Sequence, residues 1–162
     1  MKRKRWFLLI LVGIVIAAGG FYFLSMKLLV LQLQNMDHPH GVSMRIKPME
    51  RFSIYYIHSV YQEPVIEEFE AAPNTIILKG VRTKSAAIAE QYGLDDQKSF
   101  HPMDEKLGAI FLRVSAGEGQ GLIVGDRKIY LGEIGAKGDR IQLSVRSISA
   151  GTYFFSKFSN VF

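Results

Sequence analysis

Residues 52–69 read FSIYYIHSVYQEPVIEEF. The first half, 52–60, is rich in Ile, Tyr and Val, the β-branched and aromatic residues that favour strands. Pro64 interrupts this pattern, and a second apolar run follows at 65–69. We therefore predict two strands, at 52–60 and 65–69, which pair as an antiparallel hairpin.

Short apolar runs separated by turn residues continue on both sides of this hairpin, at intervals of roughly ten residues. We predict further strands at 28–33, 42–46, 75–81, 109–115, 122–124, 128–131 and 141–148. This spacing predicts a mostly β fold, either a small antiparallel β-sandwich or a partly open barrel.

Two segments depart from the strand pattern. Residues 85–93 consist of helix-forming residues between Ser85, a suitable N-cap, and Gly93, a suitable stop, and they predict one short helix. The tail 152–162 is rich in aromatic residues, of which Phe154, Phe158 and Phe162 would share one face of a helix. The same tail could instead form an edge strand.

The N-terminus has the pattern of a membrane anchor. A basic run at 2–5 precedes residues 6–24, which contain no charged side chain. As a helix, that segment would be roughly 28 Å long, close to the hydrocarbon core of about 30 Å. We predict a transmembrane signal-anchor at 1–27 with a cytoplasmic N-terminus, and an extracytoplasmic β domain at 28–162. A cleaved secretory signal is the alternative, and both interpretations export the same domain.

The charge distribution argues against a nucleic-acid partner. The chain has 20 Lys and Arg against 15 Asp and Glu, a net charge of +5. Five of the basic residues and none of the acidic ones lie before residue 28, so 28–162 is balanced at zero. A nucleic-acid surface requires a basic excess, which this domain lacks. The absence of Cys excludes disulfides, thiolate metal ligands and a cysteine nucleophile.

The candidate site residues lie in the predicted hairpin. In a strand, His58 and Ser59 point to opposite faces, so they cannot form a nucleophile–base pair with each other. We expect Glu67 or Glu68 on the second strand to lie across from His58 or Ser59. A His opposite a carboxylate suits a proton-transfer or ligand-binding site, whereas a half-buried His paired with Glu is also a common structural arrangement.

The run 52–60, with His58-Ser59-Val60, followed by Pro64-Val65 and Glu67, resembles the signature of the domain-of-unknown-function family 1850. The resemblance extends over about 28–145. It implies a small bacterial protein with an N-terminal apolar segment, often encoded beside permeases of tripartite solute transporters. The family usually has a glycine-rich turn after the serine that corresponds to Ser85, whereas this chain continues with Ala-Ala-Ile-Ala-Glu-Gln.

Other motifs indicate neither a metal site nor a cofactor. His38 and His40 are close in sequence, and His58 or His101 could join them, but the spacing is not that of a zinc site. The glycines at 117–121 precede an apolar strand rather than a helix, so they indicate a turn and not a dinucleotide site. No hydrolase, zinc-protease or nucleotide-binding motif is found in the sequence. Glutamates 67, 68 and 70 resemble solvated edge-strand residues more than a catalytic carboxylate pair.

The function predicted is that of a membrane-anchored extracytoplasmic accessory or binding protein. The resemblance implies that it assists a tripartite transporter, with the membrane and the permease or solute-receptor subunits as partners. The candidate site consists of His58, Ser59 and Glu67, with no catalytic residue assigned. Two alternatives remain open: a small exported enzyme or ligand-binding module that uses His58 and Glu67, and a structural domain of the envelope.

Overall fold

The computed structural model describes residues 2–93, 98–115 and 119–158. These residues form three α-helices, ten strands and one short 3-10 helix. The helices are α1 (Lys2–Ser25), α2 (Ala86–Gln91) and α3 (Ala150–Phe158). The strands are β1 (Lys27–Asn35), β2 (Gly41–Ile46), β3 (Arg51–Ile57), β4 (Pro64–Ala72), β5 (Thr75–Thr83), β6 (Phe100–Leu107), β7 (Ile110–Arg113), β8 (Gly121–Val124), β9 (Arg127–Tyr130) and β10 (Arg140–Ser149).

The strands form two open antiparallel sheets, which confirms the predicted mostly β fold. One sheet has the order β2-β1-β10-β7 and the other the order β6-β5-β4-β3-β8-β9. Alternate side chains of each sheet enter one shared hydrophobic core. Leu31 and Ile141 contribute from the first sheet, and Phe52 and Phe69 from the second, where their rings stack 5.4 Å apart.

The predicted hairpin is present, but its first strand is shorter than predicted. Strand β3 ends at Ile57, and residues 58–63 form the connection to β4. The His58 N–H donates to Glu63 O, and the Gln62 N–H donates to His58 O, with Gln62 at a φ of 54°. These bonds turn the chain at His58, so His58 and Ser59 lie in a loop instead of on opposite faces of a strand.

Strand β6 was not predicted, because its sequence FHPMDEKL is polar and contains Pro102. It lies at the edge of the second sheet, where solvent accepts charged side chains and where a missing backbone N–H is tolerated. Helix α2 confirms the prediction at 85–93: the Ser85 hydroxyl accepts the Ile88 N–H at 3.4 Å, and Gly93 follows the helix at a φ of 71°.

Two compact units make up the chain, residues 2–28 with 147–158, and residues 29–146. In the first unit, α3 shows that the aromatic tail is helical as far as it is described, while Phe162 lies outside the described residues. The Phe23 and Phe154 rings are 6.3 Å apart, and the Ala150 N–H donates to Met26 O at 2.8 Å. Within the described residues, no helix combines the length and the apolar character of a membrane span.

Candidate functional site

An open cleft of about 660 Å³ lies in the second unit, beside the loop that follows β3. It is formed where the end of β3, the last turn of α2 and the end of β7 meet. The polar side chains that line it and that bear on its chemistry are Tyr56, His58, Ser59, Gln91, Tyr92, Arg113 and Gln120. Two of the three predicted site residues, His58 and Ser59, are therefore at this cleft.

His58 is held by both of its ring nitrogens. The Tyr61 N–H approaches Nδ1 at 3.5 Å, and Nε2 lies 3.1 Å from Gln91 Oε1. Because Nδ1 faces a donor, the neutral ring carries its proton on Nε2 and donates it to the Gln91 amide oxygen. The Tyr61 ring also packs against the imidazole at 5.1 Å between centroids. The loop thus presents His58 as an oriented, half-exposed group.

Ser59 follows His58 in the same loop and is exposed. Its carbonyl accepts the side-chain amide of Gln62 at 2.7 Å, which fixes the backbone of the loop. Its side chain lines the cleft and is accessible to a bound molecule.

Glu67 is not opposite His58, and the predicted pairing was wrong. In the β3–β4 register, Glu67 pairs with Ile54 and Glu68 with Ser53. The reason is the length of the connection: since the turn begins at His58, neither His58 nor Ser59 has a partner on β4. Glu68 instead forms an ion pair with Arg82, at 2.7 Å.

Glu67 reaches the cleft through two tyrosines. The Tyr92 hydroxyl donates to Glu67 Oε1 at 2.6 Å, and the Tyr56 and Tyr92 hydroxyl oxygens are 2.6 Å apart. Because the Tyr92 hydroxyl proton is donated to the Glu67 carboxylate, the Tyr56 hydroxyl is the donor to Tyr92. The three groups therefore form a hydrogen-bonded chain. A longer contact of 3.4 Å joins Tyr56 directly to Glu67 Oε1.

The pKa values of both phenols are raised above the ordinary value of 10. Burial raises the pKa of Tyr56, and the negative charge of Glu67 adds to that rise. Burial likewise raises the pKa of Tyr92, with further contributions from its hydrogen bonds to Glu67 and Tyr56. The tyrosine wall of the cleft is therefore polar but uncharged at all physiological pH values.

The other histidines do not gather at this site. His38 Nε2 is 3.7 Å from Asp139 Oδ1, His40 is exposed, and His101 is buried on β6. In the part of the chain that the structure describes, no three His, Asp or Glu side chains are grouped as metal ligands would be.

Tyr56, Gln91, Tyr92, Arg113 and Gln120 line the cleft and were not among the predicted site residues. Gln91 and Tyr92 were seen only as the end of a short helix, because their contacts with His58 and Glu67 span more than twenty positions. Arg113 had a usable signal, since it is the one charged residue in the apolar run 109–114.

Residues 52–131 match the family described as Domain of unknown function (DUF1850). No curated protein and no solved structure matches the chain. The matched segment includes β3, β4, α2 and β7, and so every residue of the cleft named above.

Proposed function

Residues 52–131 belong to the DUF1850 family, and from that premise we propose that the chain is a membrane-anchored extracytoplasmic binding protein that assists a tripartite solute transporter. The observation that carries the binding role is the open cleft beside His58. The proposal thus assigns the chain to ligand recognition, with His58 and Ser59 at the site and Glu67 behind it.

The cleft has the properties of a small-molecule site. Its volume of about 660 Å³ is within the range of about 300–1,000 Å³ in which small ligands bind. Apolar side chains, Ile57 and Val114, stand beside a few convergent polar groups. His58 is already oriented by Gln91, and the tyrosines by Glu67, so little ordering is needed when a ligand binds.

The membrane anchor is proposed from the N-terminal sequence. Residues 6–24 are uncharged and follow the basic run 2–5, which orients a span with its N-terminus in the cytoplasm. Helix α1 covers this segment, and apolar side chains on it are exposed, such as Phe21, which is 76% exposed. A lipid environment would remove such side chains from water.

The role beside a transporter is proposed from the family resemblance, since members are often encoded beside permeases of tripartite transporters. An anchored domain with a solute-sized cleft fits a protein that delivers solute to a permease, or that contacts the solute receptor. This part is an inference by association and is tested separately from binding.

Binding is tested with the His58→Ala variant of the full chain in detergent. A panel of amino acids, sugars and short organic acids is screened for a rise in Tm, and we expect at least one compound to stabilise the wild type. Since His58 is half-exposed, the free energy of unfolding of the variant should fall by about 1 kcal/mol or less, which lowers the Tm by about 2–4 °C. The variant should also no longer be stabilised by the ligand.

His40→Ala is the matched control, because His40 is exposed and does not line the cleft. It should retain the ligand response in full. If His58→Ala unfolds at a much lower temperature yet still responds to the ligand, His58 is structural and the proposed site is wrong.

The transporter role is tested by crosslinking in intact cells, followed by purification of the tagged full chain. Permease or solute-receptor subunits of a tripartite transporter should be recovered. Recovery of neither, from a preparation in which other membrane neighbours are crosslinked, would reject this role and leave ligand binding unaffected.

A further inference from the structure

We infer that the cleft binds a small organic anion, whose charged group is held by Arg113 together with the side-chain amides of Gln91 and Gln120. This inference rests on the proposed binding function and deepens it by naming the class of ligand.

Arg113 forms no ion pair with any carboxylate among the described residues. It lines the cleft at the end of β7. An exposed Arg needs no such partner in water, but this one lines a concave cleft, where a bound anion is partly enclosed by protein. There a guanidinium binds anions more strongly than on an open surface.

The neighbouring strand places a second arginine beside Arg113, but that arginine has its own counter-charge. Arg113 is paired directly with Arg140 on β10, and the side chains of directly opposed residues lie on the same face of a sheet. Arg140 is neutralised by Asp37, at 2.7 Å. No carboxylate of the described residues does the same for Arg113. A bound anion would supply the missing counter-charge.

The two amides contribute donors, because their oxygens are already occupied. Gln91 Oε1 accepts the His58 Nε2–H at 3.1 Å, and Gln120 Oε1 accepts the Ser115 backbone N–H at 3.0 Å. In each case the oxygen already accepts one hydrogen bond, and the NH₂ group of the same amide offers donors to a ligand. A ligand group that contacts Arg113 and these NH₂ groups is a hydrogen-bond acceptor.

No described residue that lines the cleft is acidic. Glu67 accepts a hydrogen bond from Tyr92 and lies behind the tyrosine wall. The phenols of Tyr56 and Tyr92 stay neutral, since burial raises the pKa of both. An anion therefore meets no repelling charge from these residues. Ile57 and Val114 also line the cleft and can contact a small apolar part of the ligand.

The test uses matched pairs of anionic and neutral probes. Binding of acetate, benzoate, succinate and inorganic phosphate to the full chain in detergent is measured by calorimetry, beside acetamide, benzamide and succinamide. We expect at least one anion to bind at least about tenfold more tightly than its neutral counterpart, as for a charge-assisted hydrogen bond. The carboxylate and phosphate arms show which acceptor group the site prefers.

Variants identify the cation responsible. Arg113→Gln should weaken the affinity for the anion by about tenfold to a hundredfold. Arg113→Lys should weaken it less, because Lys keeps the charge but lacks the planar guanidinium. Arg127→Gln is the matched control, since Arg127 is an exposed strand arginine outside the cleft, and it should leave the affinity unchanged.

Two results would overturn the inference while leaving the proposed binding function intact: neutral probes that bind as tightly as the anions, or an Arg113→Gln variant with wild-type affinity. The first comparison uses only the wild type and is independent of the folding of any variant. If no probe binds, and the wider panel also fails to raise the Tm, both the inference and the proposed function are wrong.

Discussion

Asp37 and Arg140 form a charged contact that joins the turn after β1 to the start of β10. The guanidinium donates to Asp37 Oδ1 at 2.7 Å, and the Arg140 backbone N–H donates to Asp37 Oδ2 at 2.8 Å. These hydrogen bonds, with the charge of Arg140, lower the pKa of Asp37 from 3.8 to about 2. The carboxylate form of Asp37 is thus favoured by the folded state.

The lowered pKa predicts a window of acid sensitivity. A carboxyl group whose pKa is lower when folded stabilises the protein fully above its unfolded pKa of 3.8, and this stabilisation is lost as the pH falls towards about 2. Asp37→Asn should therefore reduce the dependence of Tm on pH between about 4 and 2, measured on the full chain. Since the pair is exposed, the change should be smaller at high salt.

Asp126→Asn is the control for this experiment, because Asp126 is exposed in the turn between β8 and β9 and forms no ion pair with any described residue. It should retain the wild-type pH dependence. An unchanged profile in Asp37→Asn would contradict the assignment of the acid window to this pair.

The hairpin of β8 and β9 depends on a glycine at its start. Gly121 pairs with Tyr55 on β3 and with Tyr130 on β9. A Cβ at this position would overlap the Ile129 carbonyl oxygen and the Tyr55 ring and hydroxyl. Lys128 lies above the same tyrosine, with Nζ 4.6 Å from its ring centroid. The absence of a side chain at Gly121 thus lets the Ile129 carbonyl of β9 and the Tyr55 side chain of β3 approach β8 closely.

We expect Gly121→Ala to lower the free energy of unfolding by about 1–3 kcal/mol, because the backbone carbonyl cannot move aside as a side chain could. Chemical denaturation of the full chain, followed by circular dichroism, measures this loss. Gly132→Ala is the matched control: no atom lies within 4 Å of its added Cβ. Equal stability of the two variants would show that the close approach at Gly121 is unimportant.

Among the secondary-structure elements, those whose formation depends on the local sequence pattern were predicted. The β3–β4 hairpin, helix α2 and most strands follow from apolar alternation, caps and turn residues. Strand β6 could not be predicted in this way, because Pro102 and the charged residues of its sequence are not typical of a strand. It is stabilised by its place at the edge of the sheet. The end of β3 was misplaced because the bonds that turn the chain at His58 involve Gln62 and Glu63, which carry no strong turn signal.

At the site, too, local sequence motifs were informative and contacts between distant residues were not predictable. The motif located His58 and Ser59, and the cleft contains both. Glu67 could not be positioned from the motif, because its place depends on the register of β3 and β4. The contributions of Gln91, Tyr92 and Arg113 depend on how α2 and β7 are brought to the end of β3, which only the tertiary structure specifies.

For the whole molecule, the distribution of charge predicts its orientation. The net charge of +5 lies entirely within residues 1–27, so we expect the N-terminus to remain in the cytoplasm and the β domain to be exported. An alkaline phosphatase fused to the C-terminus should be active, and a green fluorescent protein at the same position should be dark.

An N-terminal tag distinguishes the anchor from a cleaved signal, since it should remain attached to the membrane-bound chain. A variant with Gln at positions 2–5 is the control for orientation, and its phosphatase activity should fall. A fluorescent, phosphatase-negative fusion of the wild type would contradict the proposed topology.

Binding of a small solute in the cleft beside His58 underlies the proposed function. Its most direct test is a ¹H–¹⁵N NMR titration of the full chain in detergent with the compound that raises the Tm most. We predict that the shifted signals are those of residues 56–59, 91–92, 113–115 and 120, including the His58 ring and the Arg113 side chain. Saturable shifts confined to other parts of the protein, with these signals unchanged, would contradict the claim.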